Sequence, residues 1–293
     1  MAPVAVITGT THGIGRVTAL GLASAGYHVV MLCRDLPASQ RTAEGIRTQA
    51  PGATIDSVYC DLAQLDTVRV AADRIIENCP PPSLLINNAG IATLRSRRTA
   101  AGMDYNFAVN HLGHFLLTEL LRPRLAPAAR IIIVASRAHF RGALDLAAVA
   151  DPHERIGATH SYARSKLANV MHCLALARRL AGSDRSVNCL HPGVVATNLL
   201  PGWLVRIKRL LGSTMFDAER GAATTLHLAL SPDVAGTSGR YFDECGVAQA
   251  SSALSQDVAL QEALWQRSLA WAELPDDARA PGPPDADQRT LPH

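Results

Sequence analysis

Six short runs of β-branched and aliphatic residues recur along the chain, separated by longer stretches with apolar residues at helical spacing. The runs lie at residues 4–7, 28–32, 55–59, 84–86, 131–134 and 187–190. Runs that are apolar on both faces are typical of parallel strands, because helices cover such a sheet on both sides. The alternation therefore predicts repeated βαβ units and an α/β fold with a doubly wound parallel sheet.

The same alternation continues over most of the chain, which favours a single domain. We predict that this domain spans residues 1–274. Hydrophobic residues make up 48% of the 293 residues, which is enough for a sizeable core. Residues 275–293 are rich in proline and aspartate, and we predict that they form a disordered C-terminal tail.

Composition also argues against several classes of function. The net charge is only +3, aromatic residues make up 4%, and no long basic run occurs, so nucleic acid binding is not expected. The six cysteines form no C-x-x-C pair, which is typical of reduced thiols in a cytoplasmic protein. No apolar stretch reaches the roughly 18 residues of a membrane span, and no signal-peptide pattern opens the chain.

A glycine-rich segment directly follows the first run. Its sequence is TGTTHGIG at residues 8–15, and a helical pattern begins at Arg16. Glycines at this place let the backbone approach a pyrophosphate, which the positive end of the helix dipole attracts. The strand and helix on either side disfavour a plain glycine-rich turn, so we predict a Rossmann-type dinucleotide site. Its predicted cofactor-binding residues are Gly9, Thr11, His12, Gly13, Ile14 and Gly15.

Three side chains are candidates for acid–base chemistry. Tyr162 and Lys166 are four residues apart in a helical pattern, so their side chains share one face. A phenol is a poor base at neutral pH, but a neighbouring ammonium and a positive nicotinamide favour its ionised form. Ser136 ends the fifth run, at the sheet edge where ligands of open α/β sheets bind, and it can donate a hydrogen bond to a carbonyl oxygen.

Taken together, these motifs resemble the short-chain dehydrogenase/reductase family over about residues 3–270. Longer strings at residues 33–35, 109–115, 165–169, 191–195 and 239–242 are similar to the retinol-dehydrogenase-like branch, which includes proteins similar to the WW-domain oxidoreductase. The resemblance implies that Asn110 completes a catalytic set with Ser136, Tyr162 and Lys166 by holding a water against the lysine. It also implies that Tyr162 and Lys166 contact the cofactor, as do Asp61, Leu62, Asn88, Ala89, Gly90, Pro192, Gly193, Val195 and Thr197.

Two neighbouring residues bear on the choice of cofactor. Arg34 and Asp35 follow the second run, where a cation would bind the 2′-phosphate of NADP and a carboxylate would bind the ribose of NAD. With Arg34 first in line, we predict that NADP(H) is preferred. Asp35 keeps NAD(H) open, and Arg34 as a solvated surface residue is the alternative.

The substrate pocket is less well defined by the sequence. Arg137, His139 and Trp203 are predicted to line it, and residues 141–160 are expected to border it. Residues 199–213 form an amphipathic segment that suits either a lid over a hydrophobic substrate or simple packing on the core, with interfacial contact with lipid as a third, less favoured alternative. His111 and His114 lack a third ligand at suitable spacing, so we predict helix packing and no metal.

These inferences converge on an NADP(H)-dependent oxidoreductase of a small to medium lipophilic carbonyl or alcohol substrate, acting in the reductive direction. The first alternative is a non-redox enzyme on the same fold, such as an epimerase, lyase or cyclase of secondary metabolism. The second, a cofactor-binding regulatory protein, is disfavoured by the intact Ser136, Tyr162 and Lys166. The resemblance further suggests a homodimer or homotetramer.

Overall fold

The computed structural model of the protein describes residues 2–193 and 218–275, and its centre is one eight-stranded sheet. The strand order is β3-β2-β1-β4-β5-β6-β7-β8. Strands β1 to β7 are parallel to their neighbours, and β8 pairs antiparallel with β7. The strands are β1 Val4–Thr8, β2 His28–Cys33, β3 Ile55–Tyr59, β4 Leu84–Asn87, β5 Arg130–Val134, β6 Ser186–Leu190, β7 Arg240–Phe242 and β8 Ala248–Gln249.

The predicted doubly wound α/β fold is thus confirmed, and all six predicted strands are present within one residue at either end. Strands β7 and β8 were not predicted. They contain three and two residues, too few for an apolar pattern to stand out in the sequence.

Helices pack on both faces of this sheet. They are α1 Gly13–Ser24, α2 Leu36–Gln49, α3 Leu65–Asn78, α4 Tyr105–Phe107, α5 Gly113–Leu121, α6 Leu146–Val149, α7 Ala158–Arg179, α8 Ala218–Leu230 and α9 Val258–Trp271. A π-helical segment, Ala108–Leu112, joins α4 to α5. None of the helices in the described part of the chain combines the length and apolar character that a bilayer span requires.

Successive side chains of each strand point to opposite faces of the sheet and pack in two separate cores. On β1, Val4 and Val6 pack in the core formed with α3, α5, α7 and α9. Ala5 and Ile7 pack in the opposite core, formed with α1, α2 and α8. The side-chain period of two thus buries every residue of β1, as the uninterrupted apolar run requires.

The order of the strands determines where a ligand can bind. β1 lies between β2 and β4, so the chain leaves β1 toward one edge of the sheet and later returns to extend the other. The loops after β1 and β4 therefore diverge to opposite faces and leave a crevice at the carboxyl ends of the strands. The glycine turn, residues 88–90 and Ser136 all follow strands at this end.

Candidate active site

The glycine turn after β1 is packed backbone against backbone. Gly9 has a φ of +73°, and a Cβ there would lie 2.8 Å from the Cα of Ala89. A Cβ on Gly15 would lie 2.1 Å from the carbonyl oxygen of Gly9. Any side chain at either position would push the turn apart, so the first turn of α1 can present free N–H groups to a phosphate only with glycine here.

Asn88 and Ala89 connect the end of β4 to this turn. The Asn88 side-chain amide donates to the carbonyl oxygens of Thr8 at 2.8 Å and Gly9 at 3.2 Å. The backbone N–H groups of Asn88 and Ala89 donate to the Thr8 hydroxyl at 3.0 and 2.9 Å. These four bonds fix two loops against each other at the crevice.

The crevice is a cleft of about 630 Å³. Every predicted cofactor-binding residue within the described ranges lines it, as does Ser136. Those lining residues are Gly9, Thr11, His12, Gly13, Ile14, Gly15, Arg34, Asp61, Leu62, Asn88, Ala89, Gly90, Tyr162, Lys166, Pro192 and Gly193. Val195, Thr197, Trp203 and the whole amphipathic segment 199–213 lie outside the described residues.

Tyr162 and Lys166 enter the cleft from α7, and Ser136 enters it from the end of β5. The Lys166 ammonium donates to the carbonyl oxygen of Val134 at 2.9 Å and lies 5.8 Å from the centre of the Tyr162 ring. Ser136 also acts on Tyr162, because hydrogen bonding by its side chain lowers the pKa of the phenol. Three groups, two from α7 and one from the end of β5, therefore converge on one end of the cleft.

Burial dominates the ionisation of this group. It raises the pKa of Tyr162, and the hydrogen bond with Ser136 offsets only part of that rise. Burial also lowers the pKa of Lys166 to about 8. Tyr162 is therefore a neutral phenol at pH 7. The sequence argument for the ionised form also relied on the positive charge of an oxidised nicotinamide, so it stays a prediction for the coenzyme-bound enzyme.

Asn110 lies behind the cleft in the π-helical segment and is fully buried. Its amide nitrogen donates to the Ile91 carbonyl and the Ser165 hydroxyl, both at 2.9 Å, and its amide oxygen accepts from the Ile91 N–H at 2.8 Å. The side chain thus uses both donors and one acceptor to connect the loop after β4 to α7. A water between Asn110 and Lys166 would therefore have to bind the main-chain carbonyl of Asn110 or the remaining lone pair of its amide.

Two predicted pocket residues are placed elsewhere. His139 is buried beneath the loop, where Nδ1 donates to the Ser136 carbonyl at 2.7 Å and Nε2 accepts from the Ser252 N–H at 3.2 Å. Arg137 points outward and pairs with Glu244 at 3.6 Å. Neither residue is among those that line the cleft, and their assignment to the substrate pocket stays a prediction.

Arg34 and Asp35 line the cleft directly after the end of β2, but their side chains have different partners. Asp35 is the N-cap of α2, and its Oδ1 accepts from the Ala38 N–H at 2.9 Å. One carboxylate oxygen is therefore committed to the start of a helix. Arg34 has no such structural role in the described part of the chain.

Comparison with known proteins identifies the family. The family model described as short chain dehydrogenase matches residues 3–203, which is more than half of the chain. The chain is a short-chain dehydrogenase. Retinol dehydrogenase 14 of Mus musculus is 38% identical over 258 residues, covering 82% of this chain and 77% of the relative. The dehydrogenase is thus an NAD(P)-dependent enzyme acting on CH–OH or C=O groups, in the retinol-dehydrogenase-like branch.

Solved structures agree with this assignment. An uncharacterized protein from Mycobacterium Paratuberculosis superposes on the dehydrogenase with a TM-score of 0.75 and 32% identity, covering 93% of this chain and 94% of its own. A protein from Beutenbergia cavernae, named as an NAD(P) dependent gluconate 5-dehydrogenase with bound NADP, has a TM-score of 0.68 and 26% identity. That match covers 83% of this chain and 96% of the other.

Some residues of the cleft were not predicted from the sequence. They include Cys33, Cys60, Ile91, Leu94, Thr159 and His191. His191 is nearly buried, burial lowers its pKa to about 4, and Nδ1 has no hydrogen-bond partner among the described residues. Its place directly before Pro192 was the available signal. Thr159 belongs to the stretch 141–160 that the sequence analysis expected at the pocket border.

Proposed function

We propose that the dehydrogenase reduces a carbonyl group of a small to medium lipophilic substrate with NADPH. The convergence of Ser136, Lys166 and a neutral Tyr162 at one end of the cleft supports this direction. A neutral phenol is a proton donor, which is what a carbonyl oxygen needs when it becomes a hydroxyl. Relatives named retinol dehydrogenases and the exposed Leu94 at the cleft support a lipophilic substrate.

Each side chain then has a defined task. The bound nicotinamide supplies the hydride. Ser136 accepts a hydrogen bond from the Ala138 N–H at 3.2 Å, and its own hydrogen would turn from Tyr162 to the substrate oxygen when substrate binds. Tyr162 gives its proton to that oxygen. Lys166, protonated below its lowered pKa, stabilises the tyrosinate that results.

NADP(H) is the proposed coenzyme, with NAD(H) as the alternative. Arg34 is available at the cleft for a 2′-phosphate, whereas Asp35 is engaged as the cap of α2. The glycine turn, whose backbone admits no Cβ, fits a pyrophosphate. We place the enzyme in the cytoplasm, a proposal that the six free cysteines support.

The mechanism is tested by following nicotinamide absorbance with NADPH, and separately NADH, across a panel of lipophilic aldehydes and ketones. We expect turnover with NADPH that Tyr162→Phe reduces by at least about 10²-fold, since general acid catalysis contributes that much. Tyr241→Phe is the matched control, because Tyr241 is buried outside the cleft and its hydroxyl has no partner in the described ranges. Binding of coenzyme without turnover across the panel would favour non-redox chemistry.

The same assay separates the two coenzymes. Arg34→Ala should raise the KM for NADPH about tenfold, the cost of one charge-assisted hydrogen bond, and leave the KM for NADH unchanged. Arg267→Ala, an exposed arginine on α9, controls for the loss of positive charge. An equal effect on NADPH and NADH would contradict the role of Arg34.

A further inference from the structure

The His114 imidazole lies in the first turn of α5, buried between the cofactor loops and the π-helical segment. Its Nδ1 is 3.0 Å from the main-chain oxygen of Asn110, and its Nε2 is 2.9 Å from the Thr8 hydroxyl. It does not line the cleft. One ring therefore joins the end of β1 to the segment that carries Asn110.

The partners of this imidazole define its tautomer. A carbonyl oxygen only accepts, so Nδ1 carries the hydrogen and Nε2 is the acceptor. The Thr8 hydroxyl already accepts from the N–H groups of Asn88 and Ala89, so its single hydrogen is left to donate. Nε2 at 2.9 Å is a much better acceptor for that hydrogen than the Ile86 carbonyl at 3.5 Å.

The pKa of His114 also favours the neutral ring. Burial is the main cause that lowers the pKa of His114 to about 4, and the Lys166 ammonium lowers it further, against the raising effect of the bond to Asn110. A protonated Nε2 would place a third donor against the Thr8 hydroxyl, beside the two N–H groups that it already accepts. The neutral tautomer is therefore the only form in which every group of this hydrogen-bond chain is satisfied.

These hydrogen bonds fix the position of the Ala89–Gly90 backbone, which lies between the glycine turn and Lys166. The Thr8 hydroxyl holds Ala89 where it touches Gly9 of the glycine turn. At the next residue, a Cβ on Gly90 would lie 3.4 Å from the Lys166 ammonium. A rotation of the Thr8 hydroxyl, or a shift of its side chain, would move Ala89 and Gly90 together.

We propose that His114 is a positioning residue: it orients the Thr8 hydroxyl and so holds the Ala89–Gly90 backbone in the place where coenzyme binds. The inference rests on the proposed binding of NADP(H) in this cleft. It predicts that His114 controls coenzyme affinity without touching the coenzyme. Coenzyme affinity depends mainly on the hydrogen-bond acceptor at Nε2, and the donor at Nδ1 contributes less.

The experiment measures the dissociation constant of NADPH from the fluorescence of its nicotinamide. His114→Phe keeps a ring of similar size and removes both hydrogen bonds, and we expect the dissociation constant to rise about tenfold. His114→Gln can place Oε1 near the position of Nε2, so it should restore affinity to within about threefold of wild type. His114→Asn reaches only the Asn110 oxygen and should bind as weakly as His114→Phe.

His111→Phe is the matched control. His111 is equally buried three residues earlier, and its Nε2 contacts Ser268 on α9 at 3.0 Å instead of a cofactor loop. It should lower the melting temperature as much as His114→Phe and leave the dissociation constant unchanged. If His114→Phe does not fold, the comparison of His114→Gln with His114→Asn makes the same test.

The possible outcomes separate the inference from the proposed function. A wild-type protein that binds neither NADPH nor NADH contradicts the proposed function itself. If wild type binds NADPH, equal affinity of the Gln and Asn variants, or an equal loss in His111→Phe, overturns the role of His114.

Discussion

Lys166 is the residue whose ionisation lies closest to the working pH of the site. Burial lowers its pKa to about 8, so the ammonium is populated below that pH and lost above it. Because the charged form stabilises the tyrosinate, we expect kcat/KM to fall as pH rises through about 8, a limb that reports on the free enzyme. The measurement is a profile of kcat/KM between about pH 6 and 10.

An arginine at this position is the matched variant. The guanidinium stays protonated over the whole range, so Lys166→Arg should lose the limb near pH 8 whatever its absolute rate. A wild-type profile that stays flat to about pH 9.5 would show that loss of the lysine charge does not limit the reaction.

At this scale the sequence predicted the residues whose role depends on spacing along the chain. Tyr162 and Lys166 share a helix face because they are four residues apart. Gly9 and Gly15 follow β1, whose apolar run is evident in the sequence. His139 was assigned to the substrate pocket because it is near Ser136 in sequence, and that assignment stays a prediction. In the structure the short 3₁₀ segment Arg137–Arg141 turns the ring back onto the Ser136 carbonyl, a local bond that has no signature in sequence.

At the scale of elements, the amino-terminal part of α7 is held by a buried ionic cluster. Arg164 donates to Asp104 at 2.6 Å and to both carboxylate oxygens of Glu154 at 2.8 Å. Ser161 donates to Asp104 at 2.8 Å, one residue before Tyr162. The cluster therefore ties the turn that carries Tyr162 to α4 and to the loop after α6.

Removing the cation of this cluster should be costly. Arg164→Met leaves the buried Asp104 carboxylate without its cation and Glu154 with Arg98 as its remaining ion pair at 3.1 Å, and we expect the free energy of unfolding in urea to drop by about 3 kcal/mol. Arg137→Met, which removes an arginine that is 61% exposed and pairs with Glu244, should change it by less than about 0.5 kcal/mol. Equal costs for the two changes would mean that the cluster does not stabilise α7.

The elements differ in how far the sequence could specify them. The six predicted strands are long apolar runs, so the pattern was sufficient. The Arg164 cluster could not be predicted, because Asp104 and Glu154 lie 60 and 10 residues from Arg164 in the chain and meet it only through the fold. The same holds for Ser252, whose backbone contacts His139 across 113 residues.

At the scale of the whole molecule, α9 covers the side of α5 and α7 that faces away from the sheet. Trp265 packs against Phe115 with ring centres 4.9 Å apart and under the Arg179 guanidinium at 3.9 Å. Trp271 packs edge-on against Phe107 at 5.6 Å. A homodimer or homotetramer stays a prediction.

Truncation tests how far the folded unit extends. A chain ending at Asp257 lacks α9 and exposes the aromatic cluster, so we expect the melting temperature to fall by about 10 °C or more, with self-association in light scattering. A chain ending at Pro275 keeps α9 and should match the full chain in stability and activity, which also tests the predicted boundary near residue 274. A loss in the second truncation would show that residues 276–293 contribute to the fold.

The double duty of Asp35 bears on how coenzyme choice can change in evolution. Its carboxylate both borders the ribose end of the cleft and caps α2. A lineage that altered Asp35 would change coenzyme contacts and the folding of a helix in the same step, and selection would act on both at once. Arg34 has no such second role among the described residues, so under the proposed coenzyme assignment it is the position at which one substitution would change the choice between NADP and NAD without affecting the fold.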